Sequence, residues 1–235
     1  MESVVIPDYP APSPMALQDL IVVGAGGAAA EALWLAEAVN EAAVAAGRSA
    51  PWRIRGCCVY DPSLYPAEIL SYKVLGTAQE VAQNRGAEVL HFTCGIGDNR
   101  IREKEVKLAE ALGWIPATLI HPSCQIASNA LIGPGTCIAA FALVGPYVRV
   151  GAHVMINTHA SIGHGSTMGD YSQACPGSRI TGKCHVGRSA FLGSNATMIP
   201  GTSLGDRSVL GANSVAICSF GPDVSAFGVP ARARS

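Results

Sequence analysis

The chain has 235 residues, 49% of them hydrophobic, which is enough to bury the core of one large or two modest domains. Its 16 Lys and Arg nearly balance 17 Asp and Glu, and the net charge of −1 excludes a basic field that would hold a nucleic acid backbone. Only 14% of residues are charged and 26 are Gly, a composition of tight turns and buried interfaces more than of solvated helices.

Residues 1–17 are Pro-rich and lack the positively charged start of a secretory signal, so they are expected to form an N-terminal extension. The eight Cys contain no CxxC pair; disulfides are not expected, and a reducing cytoplasm suits the chain. Residues 20–35 are apolar but interrupted by Gly24, Gly26, Gly27 and Glu31, a pattern of strand, turn and helix rather than of a membrane span. Residues 20–23 predict a buried strand and residues 31–46 an Ala-rich helix. A second strand is predicted over 54–59, ending at Asp61 and Pro62. A third over 88–93 leads into Gly95, Gly97, Asp98 and Asn99, and residues 101–112 have helical spacing.

This alternation predicts a small parallel α/β, Rossmann-like domain over residues 18–116. Ligands of such sheets sit at the carboxyl ends of the strands, which groups residues 24–27, Asp61 and residues 97–99 around one crevice. Alone, these signals are weak. Ala29 stands where a dinucleotide fingerprint has its third Gly, and Asp61 is equally a turn former before Pro62.

The second half is decided by an internal repeat. From Ser123 to Cys218 the chain divides into sixteen hexads without insertion. The fourth residue of every hexad is apolar, as in Ile126, Ile156, Ile162, Leu192 and Leu210, and the second is small or β-branched. A triangular coil explains this: one large and one small side chain per face fill the interior. Three faces give an 18-residue coil, and coils stack at about 4.8 Å. Gly follows the apolar residue in nine hexads, where it is expected to allow the corner to turn. The predicted column, roughly five coils tall, makes residues 117–235 an all-β parallel β-helix.

The stretches IVVGAGGAAAE (21–31), Asp61-Pro62, VLGT (74–77), GIGDNRIREK (95–104), ATLIHPS (117–123), INTHASIGHGSTMGDYS (156–172) and FGVPARA (227–233) resemble the NeuD/PglD-type sugar acyltransferases of the hexapeptide-repeat superfamily. The resemblance implies a left-handed β-helix, a homotrimer, and an acetyl-CoA cosubstrate lying between adjacent columns. It also implies that the N-terminal domain binds a nucleotide sugar as acceptor, with no metal and no membrane insertion. By register, His164 falls on the catalytic general base. Gln173, Ser194 and Ala212 fall on the coenzyme contacts, and Gly26, Gly27, Ala28, Asp61 and Gly97 on the nucleotide-sugar contacts. Ser194 and Ala212 are 18 residues apart and so stack in one column. Gly182, one coil beyond His164, leaves the imidazole room.

Three positions depart from the family pattern. Gly165 stands where a carboxylate usually follows the catalytic His, Ala28 replaces a His of the glycine loop, and Gln173 replaces a His among the coenzyme contacts. Two competing readings follow. The five-residue spacing of His159 and His164 is one that γ-carbonic-anhydrase-like zinc enzymes use for two ligands, although zinc needs a third. A non-catalytic nucleotide-sugar or CoA binding protein would fit the losses at Ala28 and Gly165. His121, next to Pro122 at the domain junction, reads as structural.

Overall fold

The computed structural model describes residues 17–86 and 88–234, so nearly all of the expected N-terminal extension lies outside the described residues. The N-terminal domain contains β1 (Gln18–Val23), α1 (Gly27–Ala45), β2 (Trp52–Cys58), a hairpin of β3 (Glu68–Ile69) and β4 (Tyr72–Lys73), α2 (Ala78–Arg85), β5 (His91–Cys94), α3 (Asn99–Ala111) and β6 (Ile115–Pro116). The main sheet has the order β2-β1-β5-β6, and every pair is parallel. The three predicted strands and two helices are therefore present, and α1 begins about one turn earlier than predicted, at Gly27.

The hairpin and α2 were not read from the sequence. A signal for α2 exists, because Thr77 and Glu80 form a capping box. The Glu80 carboxylate accepts from the Thr77 amide at 2.7 Å, and the Thr77 hydroxyl accepts from the Glu80 amide at 3.2 Å.

The β-helix is a ladder of two-residue strands spaced six residues apart, from β7 (Leu119–Ile120) to β23 (Val215–Ala216). Each strand pairs in parallel with the one 18 residues on, as Ser161 with Arg179 and Ile162 with Ile180. Three sheets result. The first face carries the strands that begin at Gln125, Leu143, Ser161, Arg179, Thr197 and Val215; the second those at Leu131, Arg149, Thr167, His185 and Ser203. The third carries Leu119, Cys137, Met155, Gln173, Phe191 and Val209, and is extended by β24 (Ser225–Gly228) and β25 (Ala231–Arg234). The ladder starts one hexad before the repeat read from Ser123. In that first hexad Leu119 points outward and is buried against Leu20, Leu35 and Ala36 of the N-terminal domain. The fourth residues Ile138, Ile156, Ile162, Ile180 and Leu192 fill the interior beside Ala142, Ala160 and Ala190.

The expectation for the repeat glycines needs correction. The left-handed backbone falls on the first residue of a hexad, two positions beyond the fifth-residue site where the repeat glycines stand. Tyr147, His159, Tyr171 and Lys183 adopt it there at φ of 59, 58, 58 and 57°. The glycines serve stacking instead. A Cβ on Gly163 would lie 2.5 Å from the Thr181 carbonyl carbon, and one on Gly187 would lie 2.5 Å from the Asp206 amide nitrogen. Coils 4.8 Å apart leave no space there for a methyl group.

The third face and its corner with the second face are covered by the N-terminal domain. Arg102 of α3 is 1% exposed and donates to the carbonyls of Ile96 (2.9 Å) and Tyr171 (2.6 Å) and to Asn99 Oδ1 (2.7 Å). Asn99 donates to the Ser189 carbonyl at 2.9 Å, and Glu103 pairs with Arg188 at 2.8 Å. His153 is stacked between Phe92 and Tyr171, with ring centroids 6.0 and 5.4 Å away, and its Nε2 lies 3.1 Å from Glu110.

Burial pushes the His153 imidazole below its ordinary value, against the opposing pull of Glu110 and Asp170. Among the described residues its Nδ1 has no partner, so a second proton there would be stranded in the junction. With the folded pKa below the unfolded one, the unfolded chain binds more protons in the interval between them. Stability is then full above about pH 6.5 and falls on acidification below it. The melting temperature is expected to drop between pH 7.5 and 5, and His153→Phe should flatten that drop. An equal slope in the variant would show that other groups carry it.

Candidate active site

The carboxyl ends of β1, β2 and β5 lie side by side and bring the Gly-rich turn, Asp61 and the 95–99 loop to one edge of the sheet. Gly24 has φ +115°, and a Cβ there would sit 2.7 Å from the Gly95 carbonyl oxygen, so only Gly fits. A Cβ on Gly95 would collide with Ala29, which is fully buried. The close approach that a third Gly of the turn would allow is thus supplied by Gly95 from the opposite loop. Around Gly26, Gly27 and Gly97 a Cβ would meet nothing within 4 Å, so the crevice is open above them. Gly26 caps α1 without a side-chain bond, leaving first-turn amides directed at that space. Ala28 lies in the same first turn.

Asp61 stands at this edge, but its Oδ1 accepts from the Ser63 amide at 3.0 Å and the Ser63 hydroxyl at 2.6 Å. Those bonds hold its carboxyl below the ordinary value. The turn-forming role that the sequence allowed is therefore realised.

On the β-helix, His164 occupies the corner between the first and second faces, exposed, with its imidazole lying over Gly182. A Cβ on Gly182 would overlap the ring. Among the described residues no side chain hydrogen-bonds to this imidazole. Gly165 follows at φ +65°, between Tyr147 one coil below and Lys183 one coil above.

Ser194 and Ala212 occupy a different corner, between the third and first faces. Both are exposed and stacked, with the Asn213 amide donating to the Ser194 carbonyl at 2.9 Å. Gln173 does not share that exposed column. It is 6% exposed under α3, with Oε1 3.5 Å from Arg102 and Nε2 3.6 Å from the Cys175 sulfur. His159 belongs to the column's corner, stacked on Phe141 with centroids 5.1 Å apart. His159 and His164 therefore stand at opposite ends of the first face, about 16 Å apart along an extended strand, too far for one chain to place both on one ion. Among the described residues no group of three His, Cys, Asp or Glu is placed to hold a metal.

Directly below the Ser194 column lies a small pocket, open to solvent, between α1 and the same corner. Glu31, Trp34 and Leu35 form one wall; His121, Ala139, Ala140, Asn157, Thr158 and Pro176 form the other. Trp34 is half exposed, and its ring centroid lies 5.9 Å from that of His121. His121 Nδ1 accepts from the Ser123 amide at 3.1 Å, which leaves Nε2 to carry the proton of the neutral ring. Sequence reasoning treated His121 as structural and did not single out Trp34 or Asn157. Nothing in the hexad pattern marks them, because α1 is brought to this corner only by tertiary docking.

Comparison with known proteins matches these two halves separately. Residues 19–108 match the PglD N-terminal domain, and residues 185–216 match the hexapeptide repeat of succinyl-transferase. PerB from Caulobacter crescentus, solved with CoA and GDP-perosamine, is similar over 94% of this chain and 99% of its own, with a TM-score of 0.79 and 28% identity. The two halves are thus similar to the modules of NeuD/PglD-type sugar acetyltransferases. The acetyltransferase domain of PglB from Neisseria gonorrhoeae, solved with acetyl coenzyme A, has a TM-score of 0.78 and 26% identity over 93% of this chain and 100% of that one. WeeI from Acinetobacter baumannii shares the fold at 22% identity, covering 92% of this chain and 100% of its own, with a TM-score of 0.74. In this chain the match to the PglD N-terminal domain precedes the match to the hexapeptide repeat. Among its described residues no helix is long and apolar enough to cross a membrane, and all eight Cys are free.

Proposed function

We propose that this acyltransferase moves an acetyl group from acetyl-CoA to the amino, or hydroxyl, group of a sugar, with a nucleotide-linked amino sugar as the natural acceptor. The crevice at residues 26–28 and Gly97, with Asp61 at its edge, takes the nucleotide. The pocket beside Trp34 takes the sugar, and the corner at Ser194 and Ala212 takes the coenzyme. Gln173 would reach that groove only through Cys175. PerB and the PglB domain, bound to CoA with GDP-perosamine and to acetyl-CoA, support this assignment.

The observation that carries the reading is the position of His164, on the far side of the first face from the coenzyme column. One chain cannot bring the two together. Three copies with their first faces turned inward would set each His164 corner beside the next copy's Ser194 corner. Leu143 on that face, with Phe141 and Tyr147 at its two edges, is exposed in the single chain, as an interface between copies requires. In such a homotrimer His164 accepts the acceptor's proton as its nitrogen or oxygen attacks the thioester carbonyl. The tetrahedral intermediate then collapses and expels the coenzyme as a thiol. With eight free Cys, a reducing cytoplasm is the fitting compartment.

The test is thiol release from acetyl-CoA on addition of nucleotide-linked amino sugars, alongside sedimentation equilibrium. The expected assembly is about three times the 24.2 kDa chain. A monomer at micromolar concentration would overturn the shared site. Binding of both ligands without thiol release would favour the non-catalytic reading.

A further inference from the structure

We propose that Glu31, reaching across from the adjoining subunit, is the positioning carboxylate for His164, in place of the one missing at Gly165. This inference rests on the trimeric reading above.

The need for such a group is local. His164 has no hydrogen-bond partner on its ring among the described residues, and Gly165 offers none. The acids of the next corner are committed elsewhere. Asp170 stands at the second–third corner, paired with Arg188 at 3.1 Å, and Asp206 accepts from the Arg188 amide at 2.8 Å. An exposed imidazole without an acceptor is free to rotate and to change tautomer, which weakens it as a base.

The supply is on the opposite corner. Glu31 is exposed, has no hydrogen-bond or ion-pair partner among the described residues, and lines the pocket with Trp34 and His121. Its charge is felt at that corner: burial chiefly, with Glu31 adding to it, lifts the Cys175 thiol to about 11. Height along the column then selects the partner. The chain climbs about 4.8 Å per 18 residues, so His164 stands about 1.6 Å above Thr158 and about 3.2 Å below Pro176. Under three-fold rotation about an axis parallel to the column, heights are conserved. The neighbour's His164 therefore arrives at the level of Thr158 and Pro176, which is the mouth of the Glu31 pocket. A carboxylate there accepts the imidazole N–H, pins the tautomer and stabilises the imidazolium formed on proton abstraction.

Three measurements test this. Glu31→Gln should lower kcat about 10- to 100-fold, the usual loss for an orienting partner, with CoA affinity nearly unchanged and a smaller change in acceptor KM than in kcat. With the anion beside the imidazole gone, the rising limb of the kcat profile should move to lower pH. Adding Gly165→Glu to that variant should restore both, because Tyr147 and Lys183 hold the same left-handed conformation directly below and above. Mixing Glu31→Gln chains with His164→Ala chains should revive the activity that each lacks. Random assembly leaves about one quarter of interfaces with both native residues.

A wild-type kcat and pH profile in Glu31→Gln would overturn the proposal while leaving His164 in place. Mixed trimers no more active than their parents would overturn the transfer between subunits. An effect confined to acceptor KM would make Glu31 an acceptor contact instead. Full activity in His164→Ala would remove the underlying reading itself.

Discussion

His164→Ala lowers kcat by about 10²- to 10⁴-fold, the range for removing a positioned acid–base group, while fold and CoA affinity persist. The fold persists because the side chain is exposed on a corner and contributes nothing to the interior. The affinity persists because Ser194 and Ala212 lie on another corner. Room for the imidazole depends on Gly182, whose missing Cβ leaves the surface on which the ring rests. Steady-state kinetics on a trimer shown by circular dichroism to be folded would check the result. Unchanged turnover would dismiss His164 as the base and leave the exposed imidazole as a solvated corner residue.

Ala212→Trp raises the CoA Kd by about 100-fold or more, a loss of about 2.7 kcal/mol. The position is exposed, and the stacking contact with the coil below runs through backbone: a Cβ on Gly193 would lie 2.5 Å from the Ala212 amide nitrogen. An indole can therefore project into solvent without disturbing the column, and it would fill the space that a ligand running along the axis needs. Calorimetry should register the lost binding at an unchanged melting temperature. Native affinity would mean that the coenzyme runs along a different corner. The two variants are separable by design, since one removes chemistry and the other removes a ligand.

Period six was legible because the triangular coil imposes it on every face. A fourth residue must be apolar wherever the chain passes the interior, and no insertion disturbs the count from Ser123 to Cys218. The strand–helix alternation of the first half was legible for a similar reason, with buried runs such as residues 20–23 marking its strands. Family register then placed His164, Ser194 and Ala212. Their column and corner positions follow from residue number alone once the coil length is 18.

The role of the repeat glycines was not legible, because closeness between coils is a property of stacking and leaves the same letters as a turn. That Gln173, unlike Ser194 and Ala212, is covered could not be read from the sequence either. Only the docking of α3, through the buried Arg102, removes it from the surface. The pocket was likewise invisible. Glu31 and Trp34 lie on one helix and Asn157 and Thr158 on a distant corner, and their meeting depends on the angle at which the two domains pack. By itself the sequence determined the modules and the register within each, since both are set by local periodicity and burial. Tertiary structure alone decided which corner faces which wall, because contacts between modules carry no period along the chain.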